Sequence, residues 1–188
     1  MFLVQPLISQ IAFPAPQHNY KHYEQTLLCR KDFTILYNNE NQIPIIHCKS
    51  KKKNNTGFTI LYSHGNAEDL STTQYFIEQL AKETSCNVIS YDYLGYSISN
   101  CLGVKPSEEG CYKSIDTVWK YATNSLNIPT HKIIIIGRSI GTGPSVDLAS
   151  RYNQCAGVIL ISPLASGANV LSPGANVLGK NVVSSLIS

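Results

Sequence analysis

The segment Gly137-Arg138-Ser139-Ile140-Gly141 places a serine between two glycines in a G-x-S-x-G pattern. Lys132–Ile136 before it holds four consecutive isoleucines, and Gly141–Tyr152 after it carries helical spacing. A serine on a sharp strand-to-helix turn has its hydroxyl lifted out at the carboxyl end of a sheet, near the positive end of the helix. That is the position of a nucleophile in acyl transfer. Gly137 and Gly141 are expected because a Cβ at either would clash with neighbouring backbone in so tight a turn. The reading to set beside it is a serine that merely shapes a turn.

A second segment suits the same chemistry. Ser63-His64-Gly65-Asn66 follows an apolar run, Phe58–Ser63, and precedes a helix with Phe76, Ile77, Leu80 and Ala81 on one face. An oxyanion needs two preorganised N–H donors, one from such a loop and one from the residue after the nucleophile. The expected donors are the backbone amides of Asn66 and Ile140. Gly65 would let the loop approach a substrate, and His64 supports the loop.

The base is the difficulty. All five histidines (18, 22, 47, 64 and 131) precede Ser139, and the only acid after it is Asp147 on the following helix. Strand–turn–helix serine hydrolases run Ser, then acid, then His along the chain. Without a base a serine hydroxyl is a poor nucleophile. This chain alone is therefore expected to be inactive.

These residues need a scaffold. Phe33–Tyr37 and Ile43–His47 flank Asn38-Asn39-Glu40-Asn41 as a hairpin. Strands are expected at Phe58–Ser63, Asn87–Asp92, Lys132–Ile136 and Gly157–Ile161. Helices are expected over Thr72–Glu83, from a Ser107 cap through Glu108 and Glu109 toward Pro129, and over Gly141–Tyr152. A strand apolar on both faces marks a parallel sheet covered on each side. The fold class is α/β, a mainly parallel sheet with helices on both faces and Lys132–Ile136 central. The expected organisation is an irregular lead-in over 1–32, a domain over 33–164, and a small-residue tail over 165–188. In that tail Gly167–Leu171 recurs as Gly174–Leu178.

The 188 residues suffice for one domain with a sizeable core. A net charge of +3 is too small to argue for nucleic acid, and the run Lys49, Lys51, Lys52, Lys53 reads as a solvated loop, with a phosphate- or membrane-contacting patch as the alternative. Six cysteines show neither CxxC pairing nor metal-ligand spacing, so no metal or other cofactor is expected. Free thiols and the lack of a secretion signal point to an intracellular, cytoplasmic setting. The apolar start Met1–Val4 is too short to span a bilayer and is expected to pack against the domain, with peripheral membrane contact as the alternative.

Leu61–Leu70, Ser90–Tyr96, Gly137–Thr142 and Val146–Tyr152 together resemble the α/β-hydrolase domain-containing proteins, most closely the branch that removes palmitate from membrane-associated proteins. The resemblance runs from about Pro14 to Ala165. It implies an α/β-hydrolase fold lacking its last strands and helices, and a serine hydrolase acting on an acylated protein or small acyl ester or thioester. Ser139 would be its nucleophile, with the Asn66 and Ile140 amides as its oxyanion hole. It also implies that Asp92 and Tyr93 form a structural turn. The branch carries Gln where this chain has Arg138, and it has a cysteine-rich, lipid-modified amino terminus that this chain lacks. Two alternatives stand beside it. One is a catalytically inactive binding protein of the same fold. The other is a short-chain dehydrogenase reading Gly137, Gly141 and Gly143 as a phosphate loop, which fails because several strands precede that loop and no ribose-binding acid follows.

Overall fold

The computed structural model describes residues 13–39, 41–52 and 55–163. The expected tail over 165–188, with its duplication, lies outside the described residues, as do Met1–Val4 and Lys53.

Six strands form one sheet: β1 (Phe33–Asn38), β2 (Asn41–Cys48), β3 (Thr59–Ser63), β4 (Asn87–Tyr91), β5 (Ile133–Arg138) and β6 (Gly157–Ile161). Their spatial order is β1-β2-β4-β3-β5-β6. β1 and β2 pair antiparallel as the expected hairpin, and β2 meets β4 antiparallel. The pairs β4–β3, β3–β5 and β5–β6 are parallel. The isoleucine strand β5 is interior, but among the described strands it stands second from the edge, with β4 and β3 at the centre. A doubly apolar sequence reports cover on both faces, which every interior strand has, and so cannot single out the middle one.

Side chains alternate across the sheet into two cores. One face gathers Ile45, Leu61, Ile89, Ile133 and Ile135 under Ile115, Val118, Trp119 and Leu148. The other gathers Ile46, Ile60, Val88 and Ile136 under Leu27, Leu70, Ile77 and Ala81. Burying each such aliphatic side chain contributes roughly 1.5–3 kcal/mol, so both faces must be covered.

The covering helices start where polar caps allow. α1 (Tyr20–Tyr23) opens with the Asn19 side chain accepting from His22 N–H and continues as a π-turn over Glu24–Leu28. The sequence leaves these residues irregular because a four-residue helix has no periodicity to show; buried Tyr23 and Leu27 hold it to the sheet. α2 (Leu70–Thr84) starts from a capping box between Asp69 and Thr72. α3 (Ser97–Cys101) is a short turn the sequence did not mark. α4 (Glu108–Lys120) starts from Ser107, as expected, and passes into a π-turn over Tyr121–Ser125. α5 (Thr142–Arg151) follows Ser139 after one 3-10 turn. No helix among the described residues is long and apolar enough to cross a membrane.

β6 pairs with β5 on one side only among the described strands, and its Val158, Ile159 and Ile161 stay exposed.

Candidate functional site

β5 ends at Arg138, and the chain turns sharply into the 3-10 turn Ser139–Gly141. Ser139 adopts φ 51°, a left-handed conformation that a non-glycine residue rarely takes without being forced. The forcing groups are identifiable. A Cβ on Gly137 would lie 2.6 Å from both Gly141 O and Ser145 Oγ, and one on Gly141 would lie 2.5 Å from Ser63 O and 2.7 Å from His64 O. The turn therefore folds onto itself at Gly137 and presses on the β3 loop at Gly141. The Thr142 hydroxyl donates to Ser139 O at 2.6 Å, closing the turn.

That second contact brings the two motifs together. A Cβ on Gly65 would stand 3.8 Å from Ser139 Cβ. The loop itself is built from beneath. Tyr93 donates to His64 O at 2.6 Å, Tyr96 donates to Asn66 Oδ1 at 2.7 Å, and the His64 ring packs against both tyrosine rings. Ser63 Oγ exchanges a hydrogen bond with Tyr91 OH at 2.7 Å and accepts one from Ser145 on α5 at 3.2 Å. Three tyrosines at the end of β4 thus shape the loop that faces Ser139.

His64 is fully buried. Its Nδ1 lies 2.8 Å from Gly65 O, and because a carbonyl only accepts, that nitrogen carries the proton. Nε2 lies 3.3 Å from Asp92 Oδ1 and makes no hydrogen bond. Asp92 also accepts from Leu70 N–H at 2.8 Å and from Ser97 Oγ, tying the loop after β4 to the starts of α2 and α3. Burial pushes the Asp92 carboxyl above the usual carboxylate range and the negative Asp69 adds to this, while His64 and Ser97 pull the other way. A raised carboxyl is held in its neutral form more readily, which lessens the cost of a bare buried charge.

An unforeseen pair crosses the site. Glu68 Oε1 meets the Arg138 guanidinium, and its Oε2 accepts from Gly65 N–H at 2.8 Å. One carboxylate bridges the residue before Ser139 and the glycine of the facing loop. The signal in the sequence was Arg138 itself, a cation where the resembled branch has an amide; its partner stands 70 residues away and was not readable.

The other histidines lie elsewhere. His18 stacks on His22, whose Nε2 lies 3.1 Å from Ser71 Oγ. His47 is on β2, and His131 precedes β5 at the end opposite Ser139. Asp147 pairs with Arg151 on α5. The expected residues Ser139, Ile140, Gly137, Gly141, His64, Gly65 and Asn66 therefore share one end of the sheet, and none of the five histidine rings pairs with Ser139.

Residues 55–187 match the family described as serine aminopeptidase, S33. The chain is 47% identical over 116 residues to alpha/beta hydrolase domain-containing protein 17C of Mus musculus, covering 62% of this chain and 35% of that protein. It is 35% identical over 185 residues to alpha/beta hydrolase domain-containing protein aho-3 of Caenorhabditis elegans, covering 89% of this chain and 54% of the relative. The chain thus spans about a third to a half of the length of these relatives. Among solved structures, an alpha-beta hydrolase from Vibrio vulnificus superposes with a TM-score of 0.69 at 16% identity, covering 99% of this chain and 67% of that one. Proline iminopeptidase of Mycobacterium smegmatis gives 0.57 at 17% identity, over 71% of this chain and 44% of that one. These two establish the fold.

Proposed function

Since the chain belongs to the serine aminopeptidase S33 family of α/β hydrolases, we propose that it carries the nucleophile half of an acyl-ester or thioester hydrolase site, with protein depalmitoylation as the reaction of the full site. The carrying observation is Ser139 at φ 51° on the β5–α5 turn, pressed against the Ser63–Asn66 loop. Ser139 Oγ would attack the acyl carbon, losing its proton to a base while the thiol or alcohol leaves; water would then release the acid from the acyl-serine. The Asn66 and Ile140 amides would hold the oxyanion. The acid and histidine of such a triad are absent from this chain, and none of its five histidines hydrogen-bonds Ser139, so it is inactive by itself. An acylated protein or small acyl ester is the expected substrate, and the six free cysteines suit a reducing, intracellular setting.

That same disposition of the histidines favours a second reading, a binding protein that holds an acyl group without turning it over. Hydrolysis of a short-chain nitrophenyl ester and of a palmitoyl thioester, by the chain and by Ser139→Ala, tests the first. The unextended chain should run no faster than the variant, and adding the family's acid- and histidine-bearing segment should restore Ser139-dependent turnover. Robust Ser139-dependent turnover without that segment would overturn the account of the base. An extended chain that still fails would favour the binding protein.

A further inference from the structure

A groove of about 770 Å³ opens at the end of the sheet opposite Ser139. Topology puts it there. Cys48 at the end of β2 pairs with Val88 at the start of β4, and Phe33 at the start of β1 pairs with Ile46. The segments after β2 and before β1 therefore leave the sheet at the end where the parallel strands begin. The last turn of α2 reaches the same end, since α2 runs back from β3 to the start of β4.

Three separate segments bring cations to this groove. Arg30 and Lys31 come from before β1, Lys49, Lys51 and Lys52 from after β2, and Lys82 from α2. The acids in the lining are Asp32 and Glu78, and the single guanidinium of Arg30 engages both, at 2.9 Å each. Six cations against two acids leave a net +4 in a chain whose whole net charge is +3. Among the described residues, no carboxylate lies within ion-pairing distance of Lys31, Lys49, Lys51 or Lys52. Lys82 reaches only the exposed Glu83, at 3.9 Å. The walls are held in shape: Arg30 also donates to Gln74 at 2.9 Å, and Ser50 N–H donates to Asn87 Oδ1 at 3.1 Å. His47, also on the wall, keeps its Nε2 sequestered with no hydrogen-bond partner.

Four uncompensated lysines repel one another at a cost that an anion would reverse. The volume falls in the range of small-molecule sites, roughly 300–1,000 Å³. The lining offers two aromatic rings, Tyr121 and the half-buried His47, and so no run of platforms for stacking bases. We infer that this groove binds a compact ligand bearing two or more phosphate groups on a polyol, such as a phosphorylated inositol ring, free or as a lipid headgroup. The expected solvated loop is thereby one wall of a charged pocket.

The test uses the full chain. Inositol 1,4,5-trisphosphate is titrated by calorimetry at two salt concentrations. Phosphatidylcholine vesicles with and without phosphatidylinositol bisphosphate are then sedimented with the protein. Trisphosphate should bind, more weakly at high salt. The exposed pair Lys49→Glu with Lys51→Glu should weaken binding by about tenfold or more. The charge-matched pair Lys105→Glu with Lys113→Glu, on other surfaces, should leave it unchanged. Equal urea midpoints for the two double variants establish that both are folded. Sedimentation with bisphosphate vesicles, competed by free trisphosphate, identifies the lipid as the source; trisphosphate binding without sedimentation identifies a soluble one. No binding by the unaltered chain, equal loss in both double variants, or tighter binding of a duplex oligonucleotide would overturn the inference. None of these readouts involves Ser139, so their failure leaves the hydrolase reading untouched.

Discussion

Gly141 and Gly143 stand two residues apart, and the same substitution should act on them in opposite directions. Gly141 has φ −63° and ψ −13°, a backbone open to any residue, so alanine there meets no conformational penalty. Its Cβ would nevertheless lie 2.5 Å from Ser63 O, 2.7 Å from His64 O and 2.8 Å from Ser63 C, all backbone atoms that no rotamer change can move. Comfortable carbon contacts begin near 3.5 Å, so turn and loop must part by about 1 Å. Overpacking of this kind costs typically 1–3 kcal/mol, against about 0.4–1 kcal/mol recovered from the stiffer unfolded chain. Gly141→Ala should therefore lose about 1–2 kcal/mol. Gly143 is exposed in α5, with only Tyr112 OH near its Cβ position, at 3.7 Å. Gly143→Ala should gain roughly 0.5–1 kcal/mol. Urea denaturation resolves both, because slopes of about 1–3 kcal/mol per molar turn these differences into midpoint shifts of several tenths of a molar. If both midpoints move the same way, or Gly141→Ala is neutral, the turn does not press on the loop as described.

Removing the Asp92 carboxyl strands Leu70 N–H and Ser97 Oγ, so Asp92→Ala should cost about 1–3 kcal/mol for each stranded donor by chemical denaturation, and Asp92→Asn less, because its amide oxygen still accepts. Since Asp92 titrates above its ordinary 3.8, its contribution is complete below that pH and is lost as pH rises through the folded value. Stability profiles of the unaltered chain and Asp92→Asn should therefore converge from pH 4 upward; parallel profiles would contradict the raised carboxyl. Ellman's reagent should modify exposed Cys29 and Cys101 in the native state and reach Cys48, Cys86 and Cys111 only after denaturation, Cys111 being buried with its thiol pushed up to about 12. Ile159→Lys on the exposed edge strand should reduce light scattering at high protein concentration without lowering the urea midpoint, and unchanged scattering would clear that edge of blame.

The strand-to-helix turn at Ser139 was legible because its signals are local: an isoleucine run, a five-residue motif and a helix, all within twenty-odd residues. The β3 loop was legible for the same reason. What escaped the sequence is what the fold assembles across distance. Nothing near Glu68 indicates that its carboxylate bridges Arg138 and Gly65, and nothing near Tyr91, Tyr93 or Tyr96 says that their hydroxyls hold the facing loop. The basic groove was invisible because its cations come from three segments, of which only Lys49–Lys53 forms a visible run. The strand order was also out of reach: alternation shows that a strand is covered, whereas which neighbour covers its edge depends on crossovers between strands. The short helix at Tyr20 fell below the length at which periodicity can be seen.

The order β4-β3-β5-β6 has a consequence for how the sheet is made on the ribosome. Synthesis delivers strands from the amino end, and folding can begin before the chain is finished. β5 is laid beside β3, then β6 beside β5, so this half of the sheet grows outward in the order in which its strands emerge. Neither has to wedge between two strands already paired. Each addition also creates the next open edge, and the apolar, half-paired β6 is that edge in its latest described form. While β6 is the last strand in place, its exposed Val158, Ile159 and Ile161 are the apolar edge that a holding chaperone would protect.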